Sequence, residues 1–152
     1  MGCDQAPIDL TNPDSALKLR SYVWPDASER MGRVDAAIEL ARQSPPQVVR
    51  QDAGDFVVEM LRAPQESGVT RVLYHSIVWQ YIPDATQAAI TSAMELAAAD
   101  ATPERPLAWV KLETNRKTFR HELRFRYWPG GEQEALLACA HPHGAWVEWL
   151  DR

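Results

Sequence analysis

Residues 69–83, VTRVLYHSIVWQYIP, constrain this chain more than any other stretch. Val69, Val72, Leu73 and Tyr74 favour extended backbone, because β-branched and aromatic side chains pack well on a pleated surface. The run passes without a glycine or proline break into His75, Trp79, Gln80 and Tyr81, and Asp84 with Gln87 then matches a capping box. Ile90, Met94 and Ala97 share one face of the alanine-rich helix that follows, which is expected to end near Asp100. A strand delivered to a helix through a polar, aromatic connection points to an α/β fold.

The same alternation extends to both sides. Asn12 before Pro13 is an N-cap with proline at the first helical position, and predicts a short helix to about Ser21. Tyr22 and Trp24 follow in a loop, where two large aromatics need something to cover. Asp26 with Glu29 matches another capping box, and Met31, Val34, Ile38 and Ala41 recur at helical spacing up to Pro45. Residues 47–51, QVVRQ, form a strand candidate that runs into Asp52, and Phe56, Val57, Met60 and Leu61 return to the helical period. Residues 107–112 are the next strand. The period then changes: Leu123, Phe125 and Tyr127 alternate with Arg124, Arg126 and Trp128, and Pro129-Gly130-Gly131 supplies a turn before the apolar run at 135–140. Residues 145–150, AWVEWL, are a short strand or a turn packed by Trp146 and Trp149. On this alternation Arg120, Arg124 and Arg126 read as a solvated face. The expected architecture is one α/β domain over residues 1–152, a Rossmann-like, mostly parallel sheet flanked by helices and closed by an antiparallel hairpin.

Charge narrows the partners. Sixteen Lys and Arg against 21 Asp and Glu give a formal net charge of -5, which disfavours nucleic acid and anionic membranes and leaves small-molecule ligands as the better fit. Cys3 and Cys139 stand far apart without a CxxC pair, as expected of reduced thiols in the cytoplasm. No stretch approaches the roughly 18–20 apolar residues of a membrane helix. The opening, MGCDQAPIDL, lacks the polar slack of a terminal tail and reads like the interior of a longer protein.

In open α/β sheets, ligands bind beyond the carboxyl ends of the parallel strands. That rule selects Asp4 if the opening is a strand, Asp52, and the cluster from His75 to Tyr81. His75 is the candidate catalytic residue, able to orient a substrate or act as a general base since imidazole titrates near neutrality; the alternative is a hydrogen-bonded, half-buried histidine. Trp79, Gln80 and Tyr81 could wall a flat ligand or close the core. Asp52 can contact a ligand or cap the next helix, and Tyr22 and Trp24 either line the same cleft or pack over the adjacent helix. His141 and His143 are two residues apart, but at a turn with no Cys or acidic residue beside them, so no metal site is expected. No GxSxG elbow occurs and neither cysteine has a basic neighbour, so covalent catalysis has no positive signal.

Two resemblances attach to these residues. GCDQAPIDLTNPD at 2–14, YVWPD at 22–26, YHSIVWQYIP at 74–83 and HPHGAWVEWL at 141–150 resemble the bacterial family called domain of unknown function 2332 (DUF2332). More distantly, GCDQAP, VVRQDAGDF at 48–56 and LYHSIVWQYIPD at 73–84 resemble the second, third and fourth strand ends of the class I S-adenosylmethionine-dependent methyltransferase fold. That likeness implies Asp4 toward the cofactor's ribose, Asp52 toward its adenine, and His75 with its aromatic neighbours beside cofactor and substrate. It also implies a first strand and a glycine-rich loop before Asp4, where only Met1, Gly2 and Cys3 stand. The chain is therefore expected to pair the two exposed edges directly, to borrow a strand as a homodimer, or to be the C-terminal part of a longer protein whose N-terminal half carries the loop. The functional expectation is a methyltransferase-like ligand-binding domain, incomplete on its own. The alternative is a noncatalytic module whose aromatic residues serve oligomerisation or a partner.

Overall fold

The computed structural model describes residues 1–150, and the chain divides into two compact units, Met1–Asp52 and Ala53–Arg152. In the first, strand β1 (Gly2–Asp4) pairs in parallel with β2 (Val48–Arg50), with Cys3 opposite Val49 and Asp4 opposite Arg50. Helices α1 (Pro13–Ser21) and α2 (Ser28–Gln43) supply the crossover that a parallel pair requires. Asn12 caps α1 as its sequence predicts, its side chain accepting the Asp14 N–H at 2.9 Å. Ile38 and Ala41 are the buried positions of α2. The capping box expected from Asp26 and Glu29 does not form: α2 begins after Ala27 with no side-chain cap, and Glu29 instead pairs with Arg33 one turn on.

The second unit contains α3 (Ala53–Arg62), β3 (Arg71–Ser76), a single 3-10 turn (Trp79–Tyr81), α4 (Asp84–Ala99), β4 (Leu107–Thr114), β5 (His121–Trp128), β6 (Gly131–Ala140) and β7 (Val147–Trp149). The five strands form one sheet in chain order. Only β3 and β4 are parallel; β4 to β7 are an antiparallel meander. The fold is mixed α/β as expected, but the expectation of a mostly parallel sheet is corrected. Asn115 organises a tight turn after β4 by accepting the N–H groups of Lys117 and Thr118, and Pro129-Gly130 turns β5 into β6. Such turns return a strand beside its neighbour antiparallel, and only α4 provides a crossover here.

Val57, Ile90, Met94, Leu107, Trp109 and Trp128 make the core of this unit, so α3 and α4 pack on the sheet face that carries Leu107, Trp109 and Trp128. Burying each of these side chains contributes about 1.5–3 kcal/mol. Register places Lys111, Glu113, Glu122, Arg124 and Arg126 on that same face, because Glu113 opposes Glu122, Lys111 opposes Arg124 and Trp109 opposes Arg126. The reading of Arg124 and Arg126 as a solvated face is thereby overturned. Arg126 reaches α4 to pair with Glu95 at 2.6 Å and lies over the Trp128 ring, while Arg124 pairs with Glu122 and Glu134. It is the opposite face that exposes apolar side chains: Val72 is 53 % and Tyr74 60 % accessible, with Tyr127 beside them in the sheet. Among the described residues no helix is long and apolar enough to cross a membrane.

Candidate functional site

The carboxyl ends of β3 and β4 carry the densest chemistry in the second unit. His75 is the penultimate residue of its strand, opposite Lys111, and after Ser76 the backbone of Ile77 adopts φ 51°, a left-handed conformation that a β-branched residue rarely takes. The Ile77 N–H still donates to the Leu112 carbonyl at 2.9 Å, so the reversal is anchored to β4. It turns the chain back on itself and stacks Trp79 on His75, ring centroids 4.8 Å apart and 19° from parallel. The capping box expected at Asp84 and Gln87 does not form, because Pro83 holds the cap position. Gln87 instead donates to the carbonyls of Trp79 and Ile82, both at 2.9 Å, and fastens the aromatic turn to α4.

His75 is hydrogen-bonded at both ring nitrogens. The Trp109 indole donates to Nε2 at 3.0 Å. An indole N–H can only donate, so Nε2 offers a lone pair and the ring proton sits on Nδ1. Nδ1 in turn donates to Glu113 Oε1 at 2.7 Å. The same oxygen accepts the backbone N–H groups of Val78 and Trp79, both at 3.2 Å. Trp79 also meets Trp109 edge-on at 5.8 Å. His75, Glu113, Trp109 and Trp79 thus form one polar and aromatic knot at the strand ends, in which the imidazole joins the aromatic turn, through Glu113 and Trp79, to the core tryptophan of β4.

A cleft of about 270 Å³ opens beside this knot, lined by Trp79, Lys111, Glu113, Thr114, Asn115, Glu122 and Arg124. Glu122 is the one buried charged residue among those described, 7 % accessible. Its Oε1 accepts from Asn115 Nδ2 at 2.9 Å, and its Oε2 accepts from Arg124 Nε and Nη2 at 2.8 and 2.6 Å. That hydrogen bond with Glu122 is the main cause raising the Arg124 pKa above its ordinary value. Lys111 pairs with Glu134 and lies over Trp109, its ammonium 4.7 Å from the ring centroid. Burial pushes the Glu134 carboxyl up, but the hydrogen bonds and charges of Lys111 and Arg124 outweigh it and leave its pKa below the ordinary carboxylate value.

Of the residues selected from sequence, His75 and Trp79 are brought together here, and Trp79 alone lines the cleft. Gln80 is half-buried and Tyr81 exposed in the same 3-10 turn. Asp4 and Asp52 lie in the first unit, at and just beyond the carboxyl ends of β1 and β2. Asp4 Oδ1 accepts the Ala6 N–H at 2.7 Å. Burial, and then the charges of Asp4 and Asp52, raise the Cys3 thiol pKa, so both carboxylates act electrostatically on that thiol. Tyr22 and Trp24 are exposed in the connection between α1 and α2. His141 and His143 form a local turn, with His141 Nδ1 accepting the His143 N–H at 3.1 Å. Among the described residues no group of three or more His, Cys, Asp or Glu is placed to hold a metal ion.

Sequence reasoning missed Trp109, Lys111, Glu113, Asn115 and Glu122. Their signal was the alternation Trp109, Lys111, Glu113, which places a cation and an acid on the same strand face as a core tryptophan.

Searches of curated proteins and of solved structures return no match. The methyltransferase likeness therefore rests on the strand-end residues alone. Across residues 1–149, however, the sequence matches one family, and the chain belongs to it: DUF2332, described as uncharacterized protein conserved in bacteria.

Proposed function

We propose that this chain is a cytoplasmic small-molecule-binding α/β protein whose ligand occupies the cleft beside Trp79 and Glu113. The observation that carries the reading is the position of that cleft, at the carboxyl end of β4, where an aromatic wall and oriented polar groups converge. His75 acts there as a positioning residue: it touches Glu113 and Trp79, which line the cleft.

The methyltransferase resemblance gives a cofactor role to two residues of the first unit, taken by itself. Asp4 and Asp52 fit the acidic contacts that S-adenosylmethionine needs at strand ends, since both stand at the carboxyl ends of a parallel pair and both act on Cys3. When bound, S-adenosylmethionine supplies an electrophilic methyl group. The residues of this chain would hold its ribose at Asp4 and its adenine at Asp52. Without a glycine-rich phosphate-loop-like turn in the sequence, we propose that binding by this chain alone is weak and methyl transfer incomplete. Titration of the purified chain with S-adenosylmethionine tests this part. Millimolar ligand is expected to move the backbone signals of Asp4 and Asp52; no movement there overturns the cofactor assignment and leaves the cleft untouched.

A second reading is supported by the sheet face that exposes Val72, Tyr74 and Tyr127. Those side chains would be covered in a homodimer, making the chain an oligomerisation module. Sedimentation at micromolar concentration decides it: a dimer that Tyr74→Lys dissociates supports this reading, and a tight monomer removes it.

A further inference from the structure

The charges at the cleft do not balance once Glu134, which stands outside its lining but pairs with both of its cations, is counted. Lys111 is paired with Glu134, and Arg124 with both Glu122 and Glu134. Two cations are thus matched by two carboxylates. Glu113 is the third carboxylate, and it is held by neutral donors: the His75 Nδ1–H and the backbone N–H groups of Val78 and Trp79. His75 cannot supply the missing positive charge, because the Trp109 indole occupies its Nε2 lone pair. All three bonds to Glu113 fall on Oε1, so its second oxygen is the one a cleft-bound donor meets. Register adds a further push in the same direction. Glu113 and Glu122 stand directly opposite each other on neighbouring strands, an arrangement of like charges that is unfavourable unless a cation offsets it.

Resting on the reading of this cleft as a ligand site, we propose that it binds the ammonium group of a small organic cation, with Glu113 as the counter-charge and the Trp79 ring as the wall. An aromatic face beside a carboxylate suits such a group, which gains from ring and charge together. The fold already uses ring faces this way, with Lys111 over Trp109 and Arg126 over Trp128. A bare divalent ion is less suited, because among the described residues no three His, Cys, Asp or Glu side chains are placed to hold one. An anion would meet two cations already engaged by carboxylates.

The test is a set of titrations of the isotope-labelled full chain with butylammonium, tetramethylammonium, butyrate and Ca²⁺, read at the Trp79 indole, the Asn115 side-chain amide and the Val78 backbone amide. The ammonium probes are expected to shift these signals. Glu113→Gln, which keeps an oxygen acceptor for His75, should weaken their binding about tenfold. Lys111→Gln, which removes a positive charge from the cleft wall, should strengthen it about twofold, a gain that a misfolded variant would not show. If butyrate or Ca²⁺ shifts the signals in place of the ammonium probes, the cationic class is overturned while the cleft stands as a ligand site. If no probe shifts them, both the class and the cleft fall.

Discussion

His75 Nδ1 donates to Glu113 Oε1 at 2.7 Å while its Nε2 accepts the Trp109 indole N–H at 3.0 Å, and this double engagement fixes the ring, its tautomer and the tryptophan stacked on it. The imidazole side chain is only 10 % accessible and the Glu113 side chain 17 %. In such surroundings a donor or acceptor deprived of its partner costs far more than the net gain of the bond itself.

His75→Ala is therefore expected to destabilise the chain by about 2–4 kcal/mol, since it strands both the Trp109 N–H and a Glu113 bond and empties the space beneath Trp79. Trp109→Phe, which removes one donor and keeps most of the ring, should cost only about 1–2 kcal/mol. Urea denaturation of the two variants checks the order; equal losses would mean that the imidazole is held by packing alone.

Arg124 and Glu122 give a second prediction. Arg124→Met leaves the buried Glu122 carboxylate with only Asn115 as a partner, and should cost about 3 kcal/mol. Changing Glu122 to Met as well should recover most of that loss, because an apolar pair needs no charge compensation. A double variant as unstable as the single one would show that Arg124 acts through its stem and not its charge.

These network residues also mark where the sequence was legible and where it was not. The Asn12–Pro13 cap, the Ile38 and Ala41 spacing, and a strand leading into His75 are local signals, and each appears, the strand two residues later at both ends than the Val69–Tyr74 run expected. Alternation in β5 correctly gave two faces but not which one the helices cover. The rule that apolar residues face the core chose Leu123 and Phe125. Trp128 and Trp109, with ion pairs behind them, won that face instead. Glu113 escaped notice because it lies inside a strand whose apolar run ends at Leu112, and only the cross-strand register brings it to His75.

Glu134 supplies a pH dependence. Its folded carboxyl lies below the ordinary value near 4.5, because Lys111 and Arg124 outweigh its burial. A depressed folded pKa contributes stability that is present above the unfolded value and is lost as pH falls through the folded one. Unfolding free energy should therefore decline from about pH 5 downward, and Glu134→Gln should flatten that decline. An unchanged slope in the variant would remove Glu134 from the acid response.

Cys3 reports on the two candidate cofactor carboxylates. Burial, then the charges of Asp4 and Asp52, raise its thiol pKa above the ordinary value of 9.0. Iodoacetamide should thus react slowly with Cys3 at pH 8, since the thiolate is the nucleophile. Asp52→Asn should speed the reaction. No change on that substitution would place Asp52 out of electrostatic reach of Cys3, against the shared strand-end arrangement.

On the proposed function, this chain takes its ligand in the cleft beside Trp79 and Glu113. The decisive measurement is shift mapping of the isotope-labelled full chain against a library of small fragments. Binding fragments are predicted to move the Val78, Trp79, Asn115 and Glu122 signals together, and hits that cluster instead on Tyr74 and Tyr127, or no hits at all, would contradict it.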